Sequence, residues 1–159
     1  MRNILIPVDV GEPSKSAVAW YINNFRRDDD HVLLIHVVEP KVAAESVDTR
    51  QQATLIKILT SNMELSVEKG SELQKTYREI FEEHKIPFDF QLCFGSKPVD
   101  SLLEIIRSRG ITCVVMASRG RNAIERTLLG TVSDQVVHHA NVPVIVIPPS
   151  TRRQSLFSF

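Results

Sequence analysis

Five short runs rich in apolar residues most strongly constrain how this chain can fold; four are nearly continuous, and the run at 88–94 alternates with polar residues toward its start. They occupy residues 3–8, 31–38, 88–94, 111–116 and 144–147. Uninterrupted apolar runs of this length are typical of strands buried on both faces of a parallel sheet. Segments with helical periodicity separate the runs, and this alternation predicts βαβ units. We therefore predict a Rossmann-like α/β fold, with a doubly wound, five-stranded parallel sheet sandwiched by helices.

Most of the intervening helices are predicted from apolar residues at helical spacing. The first predicted helix covers residues 14–25, and a second covers residues 63–84. A third begins with Ser96 as its N-cap and ends near Gly110. Residues 41–62 are polar apart from one apolar patch, so they are either a helix or a mobile excursion.

The last helix is predicted to begin at the end of a glycine-containing loop. Thr131 and Asp134 have the spacing of a capping box, which makes Thr131 the expected N-cap. The expected inward face of this helix consists of Val132, Val136, Val137 and Ala140.

Length and charge limit the functional classes. The chain of 159 residues fits a single domain over residues 1–149, followed by a flexible tail at 150–159. Nineteen basic and nineteen acidic residues balance, so no net field favours nucleic acid or a membrane surface. Cys93 and Cys113 lie in apolar runs and are expected to be buried free thiols in a reducing compartment. A cytoplasmic protein without membrane spans is expected.

The loop after the fourth run has the composition of a phosphate site. The apolar run ends at Met116, and Gly120 and Gly130 then let the backbone approach a ligand closely. The following helix offers N–H groups and the positive end of its dipole, which both favour phosphate. Arg119 and Arg121 add positive charge, although they are equally compatible with solvated loop residues. The sequence thus predicts a nucleotide-binding site.

Two further strand ends carry candidates for the same site. Pro7, Val8 and Asp9 close the first run, and Val37 lies at the end of the second. Ligands of doubly wound sheets bind outside the carboxyl ends of the strands, where these segments and loop 117–131 converge. The alternative for Asp9 is that it only caps the turn that follows it.

No catalytic residue and no protein metal site are predicted. The sequence has no Gly-Lys-Ser/Thr ending of a P-loop, no Gly-x-Ser-x-Gly elbow and no Cys/His cluster with zinc spacing. His36 is expected to be a satisfied core histidine, and His138 and His139 are expected at the surface. The sequence offers positioning groups but no clear catalytic base, so any nucleotide hydrolysis should be slow.

Four segments resemble the universal stress protein family. They are residues 4–9, residues 33–38, the glycine loop and residues 142–147. The resemblance extends from Ile4 to Pro148, and residues 20–25 are similar to eukaryotic members.

Members with the pattern Gly, two residues, Gly, nine residues, Gly and Ser or Thr bind ATP, so the resemblance implies ATP with Mg²⁺ or Mn²⁺ and a role in regulating the stress response. It places Val37 and Asp9 beside the adenine and sugar, with Val8 beneath them. It assigns the phosphates to Gly120, Gly130, Thr131 and Val132.

Two departures from the family leave a second hypothesis open. Ala117 replaces the first glycine of the pattern, which weakens the site only if that position requires positive φ. Thr112 stands where the family often has an acidic residue. The alternative is therefore a dimeric interaction module with a decayed site. Under both hypotheses Val144–Ile147 is expected to pair across a homodimer, because an unpaired apolar edge strand promotes aggregation.

Overall fold

The computed structural model describes residues 1–39, 52–118 and 129–149, with side chains from residue 56 in the second range. The predicted tail, 150–159, lies outside the described residues. The elements in chain order are β1 (Arg2–Pro7), α1 (Glu12–Asn24), β2 (Asp30–Val38), α2 (Gln52–Glu83), β3 (Phe88–Phe94), α3 (Pro98–Ser108), β4 (Cys113–Ala117), α4 (Thr131–His139) and β5 (Val144–Ile147).

All five strands lie in one parallel sheet, in the order β3-β2-β1-β4-β5. β1 is central and pairs with β2 on one side and with β4 on the other, so the strand order reverses at β1. This reversal is the topological switch point at which doubly wound sheets bind ligands. The predicted fold class is confirmed.

The helices cover both faces of the sheet and give two hydrophobic cores. On one face, α1 and α2 pack against the sheet through Tyr21, Tyr77 and Phe81, all fully buried. On the other face, α3 and α4 contribute Leu102, Val136 and other buried residues. The alternating side chains of β1 supply both cores, because successive strand residues point to opposite faces.

The second helix is longer than predicted. α2 begins at Gln52 and runs without interruption for 32 residues, so the helical alternative for its part of segment 41–62 is correct. Residues 40–51 lie outside the described residues. Gly70 marks the point where α2 meets β3, because an added Cβ would lie 2.9 Å from a methyl carbon of Leu92.

Three details of the predicted helices are wrong. Lys97, not Ser96, is the N-cap of α3, because Pro98 with its fixed φ already occupies the first turn. Gly130, not Thr131, is the N-cap of α4, and its extended backbone makes Thr131 the first helical residue. Val137 is exposed because it points about 100° away from the fully buried Val136.

A partly buried ion pair closes the amino end of the sheet. Arg2 donates to both carboxylate oxygens of Asp30, at 2.6 and 2.8 Å, and the Tyr21 hydroxyl donates to the same carboxylate at 2.9 Å. Burial would raise the pKa of Asp30, but these bonds and one from the Arg27 N–H outweigh it and lower that pKa. Burial and the bond to Asp30 raise the pKa of Tyr21.

Both cysteines are free thiols, as predicted. Cys113 is buried and Cys93 is half-buried, and burial raises the pKa of each. Within the described residues, no helix has the length and apolar character needed to cross a bilayer.

Candidate functional site

A cavity of about 440 Å³ opens at the carboxyl ends of β1, β2 and β4. This volume lies within the range of small-molecule sites. The cavity is lined by Pro7, Val8, Asp9, Pro13, Ser14, Ile35, His36, Val37, Glu39, Pro98, Leu102, Met116, Ala117, Leu129, Gly130, Thr131, Val132 and Ser133.

The wall after β1 is a turn held by its own side chains. The Gly11 N–H donates to Oδ1 of Asp9 at 2.8 Å, and the Asp9 N–H donates to Oγ of Ser14 at 2.9 Å. Asp9 therefore caps the turn, as its alternative interpretation predicted, and it also lines the cavity. The Tyr77 hydroxyl of α2 lies 3.3 Å from the Asp9 carbonyl oxygen and 3.4 Å from Ser14 Oγ, which ties α2 to this wall.

The wall after β2 consists of His36, Val37 and Glu39. Nδ1 of His36 lies 2.8 Å from the carbonyl oxygen of Val8. A carbonyl only accepts, so Nδ1 carries the proton and Nε2 is an acceptor in the neutral ring. His36 is thus satisfied, as predicted, but it is half-buried and belongs to the cavity wall rather than the core.

The wall after β4 combines a strand end with a helix N-terminus. Ala117 closes β4, pairs with Ile147 and has no positive φ. An alanine is therefore accommodated there without left-handed strain. Gly130, at φ −65° and ψ 157°, has no side chain with which to cap α4. The N–H groups of the first helical turn have no intrahelical acceptors, so they are suited to an anion.

The charges around the cavity are unevenly distributed. Asp9 and Glu39 place carboxylates near the ends of β1 and β2, and the described part of the lining contains no lysine or arginine. The positive end of the α4 dipole lies opposite, at Gly130 and Thr131. No group of three or more metal-ligating side chains occurs in the described ranges.

Nine of the twelve predicted site residues line this cavity: Pro7, Val8, Asp9, Val37, Met116, Ala117, Gly130, Thr131 and Val132. Arg119, Gly120 and Arg121 lie outside the described residues. Thr112 is at the opposite end of the sheet, where its hydroxyl bonds the backbone of Asn3.

Sequence reasoning missed several residues of the wall, among them Ser14, His36, Glu39 and Pro98. Ser14 and Pro98 lie in the first turns of α1 and α3. Ligands of doubly wound sheets bind at the carboxyl ends of the strands, where such helices begin, so this rule could have identified both residues. The sequence held no comparable signal for His36, whose place in an apolar run favours the core.

The family model described as Universal stress protein family matches residues 1–148. The chain belongs to the universal stress protein family. A universal stress protein of Methanocaldococcus jannaschii is 27% identical over 148 residues, which cover 92% of this chain and 81% of the relative.

Solved structures show the same fold. An Arabidopsis thaliana universal stress protein family protein with AMP bound has a TM-score of 0.63 at 21% identity, covering 92% of this chain and 91% of that one. An Archaeoglobus fulgidus universal stress protein in complex with dAMP has a TM-score of 0.61 at 16% identity, covering 92% and 98%. Some structural neighbours of this chain thus bind adenine nucleotides.

Proposed function

We propose that this protein binds ATP with Mg²⁺ or Mn²⁺ in the cavity at the carboxyl ends of the strands and acts as a stress-response regulator. The observation that carries the proposal is that three separate strand ends and the N-terminus of α4 meet around one cavity. Structures of the same fold with AMP and dAMP support an adenine nucleotide as the ligand.

The proposed roles of the wall residues follow their chemistry. The apolar side chains of Val8, Val37 and Met116 suit one side of the adenine ring, and Asp9 suits the sugar hydroxyls. The N–H groups at Thr131 and Val132 suit phosphate oxygens. Gly120 belongs to the proposed phosphate loop, and Arg119 and Arg121 would neutralise phosphate charge; all three are proposed from the sequence.

Occupancy is proposed to act as a signal rather than as a step in fast catalysis. The described lining offers positioning groups, but it has no lysine of the kind that phosphoryl transfer by P-loop proteins uses. We further propose that the protein hydrolyses ATP slowly at most. Its proposed location is the cytoplasm. A turnover comparable to that of a dedicated ATPase would contradict it.

A homodimer through Val144–Ile147 is part of the same proposal. β5 is an edge strand, and all four of its residues are only half-buried. Pairing of the two edges would satisfy backbone groups that otherwise face solvent. The backbones of Pro143 and Ile147 face β4, so the N–H of Val146 points to the free edge. Proline at Val146 should therefore weaken the dimer measured by sedimentation; an unchanged dimer would contradict this interface.

The proposal is tested at Gly130 by calorimetric titration of nucleotide-stripped protein with ATP and Mg²⁺. Aspartate and asparagine both cap helices well and both fit the extended backbone of Gly130, so neither variant should unfold α4. Only Gly130→Asp places a negative charge beside the phosphates. We expect micromolar affinity in the wild type and at least about tenfold weaker binding in Gly130→Asp than in Gly130→Asn, equivalent to about 1.4 kcal/mol. Equal affinities in all three proteins, or a folded wild type that does not bind, would contradict the proposal.

A further inference from the structure

The amino-terminal half of α2 extends beyond the contacts that hold the helix to the sheet. At about 1.5 Å per residue, its 32 residues span about 48 Å. The carboxyl-terminal half is anchored by Leu73, Tyr77 and Phe81 in the core and by Gly70 against β3. Residues 56–69 are exposed except for two half-buried positions. We call residues 56–69 the α2 extension.

The α2 extension carries an apolar stripe along one side. Ile56, Thr60, Met63 and Val67 follow one another at intervals of four, three and four residues, the spacing of a coiled-coil seam. At 100° per residue they fall within an arc of about 60°. Ile56, Met63 and Val67 are 63%, 50% and 47% exposed, and a surface groove runs along Thr60, Met63 and Val67.

Charged residues flank this stripe on one side. Lys57 and Glu64 lie about 20° apart around the helix axis, next to the stripe and seven residues apart. Glu68 extends the same flank and also borders the groove. The positive charge is therefore at one end of the stripe and the negative charges are nearer the other end.

This pattern is self-complementary only for an antiparallel pair of helices. A two-fold axis between residues 61 and 62 sets Ile56 opposite Val67 of a second copy and Thr60 opposite its Met63, so a small side chain meets a large one. Lys57 then faces Glu64 of the second copy at both ends of the pair. A parallel pair would instead set this charged flank against the uncharged flank of Leu59 and Ser66, so Lys57 and Glu64 would have no charged partner.

We propose that the α2 extension is a self-association surface, on which the same stripe of a second copy packs in antiparallel orientation. The charge pattern selects this occupant, because it complements itself at both ends. The surface is separate from β5, so a chain that used both interfaces would form tetramers or larger assemblies. Because a helix pair of this length is short, we expect association that depends on protein concentration.

The first test compares two glutamate substitutions on the same helix. Met63 and Leu65 are almost equally exposed, at 50% and 48%, but Leu65 points to the opposite side of the extension. Met63→Glu should halve the mass found by sedimentation at concentrations where the wild type associates, whereas Leu65→Glu should leave that mass unchanged. Circular dichroism checks that both variants keep their helix content.

The second test uses reversed charges to identify the partner as another copy. Lys57→Glu and Glu64→Lys should each associate less than the wild type, because each sets like charges together. Mixing the two variants should restore association, since every Lys57–Glu64 contact between them again joins opposite charges. The double variant should associate by itself for the same reason.

Three results would overturn the proposal. The first is a Met63→Glu protein that sediments like the wild type. The second is an equal loss of association in Met63→Glu and Leu65→Glu. The third is a mixture of the charge variants that associates no better than either alone; this would leave the stripe to a different partner protein. Nucleotide affinity is measured at a cavity whose lining includes no residue of the α2 extension, so failure here is distinguishable from failure of the proposed function.

Discussion

The two ends of the sheet each carry an aspartate, but the surroundings of the two carboxylates differ. At the amino end, Asp30 is buried and receives hydrogen bonds from Arg2, Tyr21 and the Arg27 backbone. At the carboxyl end, Asp9 accepts a hydrogen bond from the Gly11 N–H and also borders a cavity of about 440 Å³. One carboxylate is enclosed by its partners and the other faces a space for a ligand. The amino end is therefore expected to stabilise the fold, whereas the carboxyl end is the proposed binding site.

The largest effect is expected from breaking the closed end. Asp30→Ala leaves Arg2 without its carboxylate partner and removes the acceptor of the Tyr21 hydroxyl. Loss of one partner from a buried ion pair typically costs 3–5 kcal/mol, and we expect about 3 kcal/mol because Arg2 is partly exposed. Urea unfolding measures the change, and ATP affinity should stay within about twofold of the wild type if the two ends act independently.

Asp29→Ala is the matched control, because the Asp29 side chain is exposed and pairs with the N-terminal amine. Its unfolding midpoint should stay close to that of the wild type. An Asp30→Ala protein as stable as Asp29→Ala would show that the closed end does not stabilise the fold.

The next effect is on acid stability. The pKa of Asp30 is lower in the folded protein than its ordinary value of 3.8, so its contribution is present above that value and is lost as the pH falls through the folded-state pKa. The free energy of unfolding should therefore fall as the pH is lowered below about 4. Asp30→Asn should be less stable at neutral pH and show a smaller loss on acidification, as measured by urea unfolding at several pH values. Parallel pH curves for the two proteins would contradict this assignment.

The smallest effect is expected at the open end. Ala117 lies in β4 without positive φ, so glycine at this position relieves no strain. Ala117→Gly should cost about 0.5–1 kcal/mol of stability, because glycine in a strand loses more conformational freedom on folding. ATP affinity should change by less than about threefold, equivalent to about 0.7 kcal/mol. A gain of tenfold or more by calorimetry would show that alanine had weakened the site.

The sequence predicted the sheet well because each strand is a local signal. Strands β3 and β5 were predicted with the bounds that the structure gives, since an alternating run and an apolar run, each ended by turn residues, define them. The closed end was not predicted, because Arg2 and Asp30 are 28 residues apart and meet only through strand pairing. Long-range pairing of this kind leaves no local pattern.

The site was predicted in outline for the same reason. Val8, Asp9 and Val37 follow apolar strands, so sheet topology alone brings them together. The sequence predicted Thr131 as the N-cap of α4 because capping boxes favour hydroxyl residues. In the structure the N-cap is Gly130, whose backbone is extended. The start of α2 was left open between a helix and a mobile excursion because polar residues interrupt its apolar pattern.

The most direct test of the division between the two ends is an amide NMR titration of the ¹⁵N-labelled protein with ATP and Mg²⁺. The account predicts that the largest shifts fall on the backbone amides of Asp9, Thr131, Val132 and Ser133 around the cavity. The amides of Asn3, Asp30 and Thr112 at the amino end should stay in place. Shifts centred on the amino end, or no shifts at saturating ATP, would contradict the claim that the carboxyl-end cavity is a nucleotide site.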